Sequence, residues 1–488
     1  MEILVGLIII AAIYLWAFFM DRFFKSCSHY AYIQFLKGTG LEIKIFQFTW
    51  TTSAFNKLLY KWGSGPSTFL NLWFNLGLCS SLLLLPAAIY LLLTAFFQNF
   101  SSYATNEENM IQPVVPGVNL PASEIGYYSI TLLLSSILHE LGHALASVQE
   151  DVHVINVGAN VLFILPVAYV NISSDKLFSL NPWKRLKILC AGVWHNLLIA
   201  LLAYLLYTSL PSLFSPLFLH GNGIVVSHIE DKSPIVGDRG LHVGDKILRI
   251  NECDVQDVES WYRCLTTLKL TKPAFCIEAD VVHNMDESVH LKHLENGIVS
   301  CCHSDNKGKL CFEYLDSKDS ILELPPYACL PGRAVIEVST NFCTADPHLC
   351  PKDTFCFRPV LTNNTNLFRI KRLGQIDVIY IGPVYDLVKT VMVSSYVPKY
   401  GFLRTEVPDM TTKFLGYLVM FSMGLAIVNI LPCIFMDGQH ITNTLLHILF
   451  SNHLRTTHIK VISAIVTASF TFLLLIHCTV VIWAKLKY

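Results

Sequence analysis

The chain has 488 residues, 53% of them hydrophobic and only 15% charged, a balance that excludes an ordinary soluble enzyme and points to a polytopic membrane protein. Its formal net charge is -1, so it carries no cationic excess to hold a phosphate backbone. The expected partner is a lipid bilayer, not nucleic acid.

In chain order, six stretches are long and apolar enough to span a bilayer: Ile3–Met20, Phe69–Phe97, Glu124–Val148, Leu186–Leu210, Phe414–Phe435 and Ile459–Ala484. The first lacks a basic leader and a small-residue cleavage site, which reads as an anchor rather than a removed signal. Lys and Arg set the orientation. Arg22, Lys25, Lys37, Lys44, Lys57 and Lys61 lie between the first two stretches, and Lys176, Lys184, Arg185 and Lys187 lie around the start of the fourth, whereas residues 98–123 hold none. Both basic links are therefore expected in the cytosol. The third stretch then runs from lumen to cytosol, and the long segment 211–410 is lumenal, as are both chain ends.

Cysteine usage bears on the same point. Of the 15 cysteines, those from Cys253 to Cys356 make up two thirds and sit in the lumenal segment, where an oxidising compartment favours disulfides. Adjacent Cys301 and Cys302 leave the pairing open. Asn363 is a candidate glycan acceptor there; Asn99 is lumenal but close to lipid, and Asn171, cytosolic, is expected to be unused.

The expected fold is thus a polytopic α-helical membrane protein with about six spanning helices, a membrane-associated β-hairpin and a lumenal α+β domain. Residues 1–68 form an anchor helix and cytosolic loop, 69–210 a membrane core, 211–410 the lumenal domain, and 411–488 the rest of the core.

The third stretch contains His139-Glu140-Leu141-Gly142-His143. Histidines four apart on a helix share a face and can ligate one metal ion, while Glu140 can take a proton from attacking water, so the pattern suggests hydrolysis. The bland alternative is a chance match. Against it, each imidazole or carboxylate in an apolar layer costs on the order of a few kcal/mol without a partner, and a metal is such a partner.

Val152–Ile172 alternates, contains Pro166 and is too broken to span. It reads as a β-hairpin dipping into the membrane interface, with an amphipathic loop as the alternative. Residues 221–261, with Gly223-Ile-Val-Val, Ser233-Pro234 and Gly244-Asp245-Lys-Ile-Leu-Arg-Ile-Asn251, resemble the core of a PDZ domain, followed from about Cys264 by a Cys-rich insertion. In that fold a peptide adds to a sheet edge; a purely steric role is the alternative.

Two histidines under-coordinate a metal, so a third protein ligand is expected. Asp437 is the candidate, in Asn429-Ile-Leu-Pro432-Cys-Ile-Phe-Met-Asp437-Gly438 at the end of the fifth stretch. Parallel third and fifth stretches place it at the depth of His139, and Pro432 loosens the helix so that the carboxylate can turn inward. An Asp-Gly at a helix end is otherwise an ordinary turn.

These paired motifs around a PDZ-like region resemble the site-2 protease family of intramembrane zinc metalloproteases. Cys190-Ala-Gly-Val-Trp-His195-Asn196 is similar to a further family motif, with Val193 where many bacterial members have Pro. The resemblance implies one zinc ion per chain on His139, His143 and Asp437, with Glu140 as general base and acid. It implies that Asn196 lines the site, holding substrate or stabilising the oxyanion. His195 is an extra ligand or proton donor, or more simply a polar residue packed between helices. The implied substrates are single-span segments of membrane-bound transcription factor precursors already trimmed in the lumen. These are sterol regulatory element-binding protein precursors and a related stress-response factor precursor, in Golgi and endoplasmic reticulum membranes. The rival of another class is a membrane zinc transporter or metal-binding protein without protease activity, which calls for stacked metal sites.

Overall fold

The computed structural model describes residues 2–101, 121–162, 165–269, 271–293, 299–303, 308–315, 324–339, 341–344, 346, 350–362 and 365–487. The chain divides into two units, Met1–Thr208 with Thr412–Tyr488, and Ser209–Thr411.

The first unit begins with α1 (Glu2–Ser26), α2 (Tyr30–Thr39), strands β1 (Leu41–Lys44) and β2 (Gln47–Thr52), and α3 (Asn56–Gly63). There follow α4 (Ser67–Ser101), α5 (Ile125–Gln149), β3 (Val154–Leu162), β4 (Leu165–Ile172), α6 (Ser174–Ser179) and α7 (Pro182–Phe214). Among the described residues, five helices are long and apolar enough to cross a membrane: Thr68–Gln98, Ile125–Gln149, Pro182–Phe214, Glu406–Ile430 and Thr456–Ala484. The first expected span is also helical, as α1, with the side chains of residues 2–4 and 7 outside the described set.

Side chains on these helices are distributed for lipid. On α7, Leu201, Leu202, Leu205 and Leu206 are exposed while Asn196 is wholly buried, because leucine loses nothing against acyl chains and an amide must turn inward. On α5, Tyr128, Thr131, Ser135, His139, Gly142 and Ala146 form one buried stripe. Most of these are small or polar, which lets neighbouring backbones approach closely.

Val152–Ile172 does form a hairpin, β3–β4, but not a free-standing one. β2 pairs along β3 from Gln47↔Leu162 to Thr52↔Val157, giving a four-stranded sheet ordered β1-β2-β3-β4. Residues expected to form only a cytosolic loop thus supply half of it. An isolated two-stranded hairpin is marginal, and pairing with β2 satisfies the backbone groups that β3 would leave open.

The second unit holds two larger sheets. One runs in the order Val378–Gly382, Asn366–Arg372, Lys246–Ile250, Ile224–Ile229, Val391–Ser394, with Cys253–Asp254 paired to Lys246–Ile250. It packs α8 (Val258–Leu268), through Trp261 and Leu265, into a core with Ile224, Ile247 and Phe368. The other sheet runs Tyr327–Pro331, Lys309–Tyr314, Thr354–Pro359, Phe275–Glu278. Its core joins Phe312 and Phe357 to residues of α9 (Ala279–Met285) and α10 (Gly332–Val338). A short α11 (Val384–Thr390) precedes the last strand of the first sheet.

Every cysteine from Cys253 to Cys356 is paired: Cys253–Cys264, Cys276–Cys350, Cys301–Cys311, Cys302–Cys329 and Cys343–Cys356. The Cys301-Cys302 doublet reaches Cys311 and Cys329, which face each other across two strands, so it staples a single strand pair. Cys27, Cys79, Cys190, Cys433 and Cys478, all in the first unit, are free. Asn363 lies outside the described residues, as does the Asn99 side chain.

The chain returns through α12 (Glu406–Ile430), α13 (Asp437–Phe450) and α14 (Thr456–Lys487). The fifth span therefore ends earlier than Phe435. Pro432 cannot donate to a helix and disfavours the helical conformation at the residue before it, so α12 stops at Ile430. Asp437 consequently does not close that helix; it opens the next one. A Cβ on Gly438 would overlap the carbonyl oxygens of Ile430 and Leu431, so glycine lets the first turn of α13 sit directly on the end of α12.

Candidate metal centre

Three side chains from two distant parts of the sequence converge. His139 and His143, one turn apart on α5, lie with their Nε2 atoms 3.1 Å from each other. Asp437 Oδ2 is 3.0 Å from His139 Nε2 and 3.2 Å from His143 Nε2. These atoms form one of the clusters able to hold a metal ion among the described residues. The imidazoles are almost closed off, at 6% and 8% side-chain exposure, whereas the Asp437 side chain keeps 23%, so the opening lies on its side.

The trio fits a metal of the zinc type. Ligand atoms about 2.0–2.1 Å from one tetrahedral ion stand about 3.3 Å apart, close to the separations found here, and two nitrogens with one carboxylate oxygen leave a fourth position. The partner behind His143 agrees. Its Nδ1 lies 2.8 Å from the Ile188 carbonyl oxygen, an acceptor, so Nδ1 carries the hydrogen and the Nε2 lone pair faces the cluster. The amide of Asn196, on α7, lies 3.0 Å from His139 Nδ1.

The backbone of α7 makes room for this. A Cβ on Gly192 would come 2.6 Å from His139 Nε2 and closer still to His143 Nε2. A Cβ on Gly142 would likewise press on the carbonyl of Ala191 and on His195. Both glycines permit α5 and α7 to touch where the histidines sit. Neither need shows in the local sequence, because it is set by the neighbouring helix.

Glu140 points to the sheet. Val170 N on β4 donates to its Oε2 at 3.0 Å, and one turn earlier Ala168 N donates to Ser136 Oγ at 2.8 Å. Side chains of α5 thus cap two outward N–H groups of the edge strand. The other carboxylate oxygen of Glu140 has no hydrogen bond among the described residues.

Charged clasps fix the ends of α5. Glu124, just before it, bonds Lys413 Nζ at 2.6 Å and also Tyr417, both on α12, and Ser135 meets Ser422 at 2.8 Å. Glu150, just after it, bonds Lys187 at 2.8 Å and Lys184 at 2.9 Å on α7. Burial pushes the Glu150 carboxyl up, but hydrogen bonds and charge from Lys187 and Lys184 prevail and hold it below its ordinary value.

Other expected residues fall outside the cluster. His195 bonds the Ala191 carbonyl one turn back at 2.8 Å and packs against Trp73 and Phe74, a structural placement. Asn429 is half-buried in the last turn of α12. Asn156 and Asn160 lie on β3, an inner strand paired on both sides.

Comparison with known proteins adds the following. Residues 127–475 match Peptidase family M50, a span that includes the whole cluster. The chain is 23% identical over 441 residues to the membrane-bound transcription factor site-2 protease homolog of Arabidopsis thaliana, covering 80% of this chain and 83% of that protein.

Proposed function

The chain belongs to peptidase family M50, and on that premise we propose that it is an intramembrane zinc metalloprotease of the site-2 type. The observation that carries this reading is the meeting of His139 and His143, beside Glu140 on the membrane-spanning α5, with Asp437 at the start of α13. A zinc ion held by the three supplies Lewis acidity, polarising the scissile carbonyl and making the attacking water easier to deprotonate. Glu140 takes that proton on the oxygen the sheet leaves free and returns it to the leaving amine. The partly exposed Asp437 side gives water and substrate their approach.

A substrate helix hides its amides in its own hydrogen bonds and must unwind locally before cleavage. We place the unwound segment along β4. Because Ser136 and Glu140 already cap the outward N–H groups there, strand addition proceeds by displacing them. Proline at Asn156 or Asn160 is a poor test, since it would break the inner strand itself.

For substrates we propose single-span segments of transcription factor precursors, including sterol regulatory element-binding protein precursors and a related stress-response factor precursor. The name of the plant relative, a membrane-bound transcription factor site-2 protease homolog, supports that class. We read the second unit as a PDZ-like lumenal domain, supported by the Gly244 turn, at φ 95°, that leads into Lys246–Ile250. Its paired cysteines against the free thiols of the first unit support an oxidising lumen, as in Golgi and endoplasmic reticulum. As a size filter it would admit precursors trimmed in the lumen and refuse bulky ones. Deleting residues 221–371 would strip Val378–Gly382 and Val391–Ser394 of their sheet partners. The intact enzyme offered substrates with graded lumenal tails is the cleaner test, and equal cleavage of all of them rejects the filter.

The reading of the site is tested by Glu140→Gln with metal and cleavage measured together. We expect zinc to stay while cleavage of a trimmed single-span substrate falls by about 10²–10⁴-fold. Unchanged cleavage rejects it.

A further inference from the structure

We propose that Asn196 is a positioning residue of the metal centre, fixing which nitrogen of the His139 ring carries the hydrogen. The inference rests on the reading of His139, His143 and Asp437 as metal ligands.

A neutral imidazole has one N–H and one lone pair. His139 offers Nε2 to the cluster, where it lies 3.0 Å from Asp437 Oδ2 and 3.1 Å from His143 Nε2. Its hydrogen must then sit on Nδ1, which needs an acceptor. The group found 3.0 Å from Nδ1 is the side-chain amide of Asn196. An amide presents either oxygen or NH2 after a half-turn of its end group, and the end that serves a metal-ready His139 is the oxygen.

Two observations make this partner consequential. Asn196 is wholly buried, so bulk water cannot replace it. Its amide is also not locked by other bonds: the oxygen has no partner when the NH2 end faces His139, so the half-turn breaks no oxygen bond.

The two ligating histidines are thus held differently. Behind His143 stands the backbone carbonyl of Ile188, which can only accept and survives any side-chain substitution. Behind His139 stands a side chain that can face either way. With NH2 toward Nδ1, the His139 hydrogen moves to Nε2 and the lone pair is withdrawn from the cluster; with oxygen toward Nδ1, the site is ready to bind. Asn196 is therefore the part of the ligand support that substitution can reach.

The experiment is zinc affinity of the full-length protein by chelator competition, with no substrate present, for wild type, Asn196→Asp and Asn196→Ala. Aspartate keeps an acceptor and loses the NH2 donor; alanine loses both. We expect Asn196→Asp to bind zinc as tightly as wild type or more so, and Asn196→Ala to bind about 10–100-fold more weakly. Wild-type affinity in Asn196→Ala overturns the inference and leaves the centre intact. A tenfold loss in Asn196→Asp overturns it too, and this arm stands even where the alanine variant does not fold. A wild-type protein that binds no zinc overturns the reading of the centre itself.

Discussion

The two units are held together by opposite means. The second buries large apolar side chains such as Trp261, Phe312 and Phe357 in closed cores and cross-links itself five times. The first leaves leucines facing outward, has no disulfide among its cysteines, and buries Ser135, His139, His143, Asn196 and Ser422 alongside apolar residues such as Phe74, Leu186 and Ile188. In water, burying apolar surface is what stabilises a fold. In lipid that gain between helices is absent, so close backbone approach and polar contacts hold the helices together. A site made of polar groups is then one of the places where the helices meet, beside the apolar contacts of α4, α7, α12 and α14, and there structure and chemistry share the same atoms.

That contrast can be broken experimentally. A large effect should come from Gly192→Ala, whose added Cβ overlaps both ligating imidazoles. We expect zinc affinity to fall by about 100-fold, a loss comparable to removing a strong supporting group. Gly237→Ala in the second unit, which meets nothing within 4 Å, serves as the contrast and should change stability by less than about 0.5 kcal/mol. Chelator competition and thermal unfolding read both.

Of similar size, the double substitution Cys276→Ser with Cys350→Ser should destabilise the second unit by about 2–5 kcal/mol. Zinc bound by the first unit should stay constant. Denaturant titration followed by limited proteolysis checks the first expectation and metal analysis the second. Loss of zinc with loss of this disulfide would show that the units do not stand on separate supports.

The smallest effect concerns pH. The Glu150 carboxyl is lowered in the folded protein, so its ion pairs contribute stability above the ordinary value of 4.5. That contribution disappears as pH falls through the lower folded value. Lys184 is 55% exposed, so its share of that gain is at most about 1 kcal/mol. Glu150→Gln should lower the melting curve near neutral pH and converge with wild type in acid, where the wild-type carboxyl is protonated and its ion pairs are lost.

Legibility from sequence followed the range of the physics involved. Helix α5 and its two histidines were readable because apolar length and i, i+4 spacing are local. The placement of Asp437 was half readable. Its partnership with α5 was anticipated from depth, but the stop at Ile430 and the new helix at Asp437 were not, since Pro432 was read as loosening a helix that it in fact ends. The four-stranded sheet was half readable for a similar reason. Val152–Ile172 alternates visibly, whereas β1 and β2 are short and gain meaning only from pairing with β3. Clustered cysteines announced disulfides, yet Cys301 and Cys302 could not be assigned without knowing that Cys311 and Cys329 are neighbours across a sheet. Gly192, Ile188 and Val170 were missed entirely as parts of the site. What they contribute is a missing Cβ, a carbonyl and an N–H, which residue type does not advertise.

The most direct test of the account is zinc counted per chain by mass spectrometry after dialysis against a chelator, in wild type, Glu140→Gln and Asp437→Ala. Shared ligation by His139, His143 and Asp437 predicts equal, full loading in the first two and almost none in the third. Full loading of Asp437→Ala would contradict it.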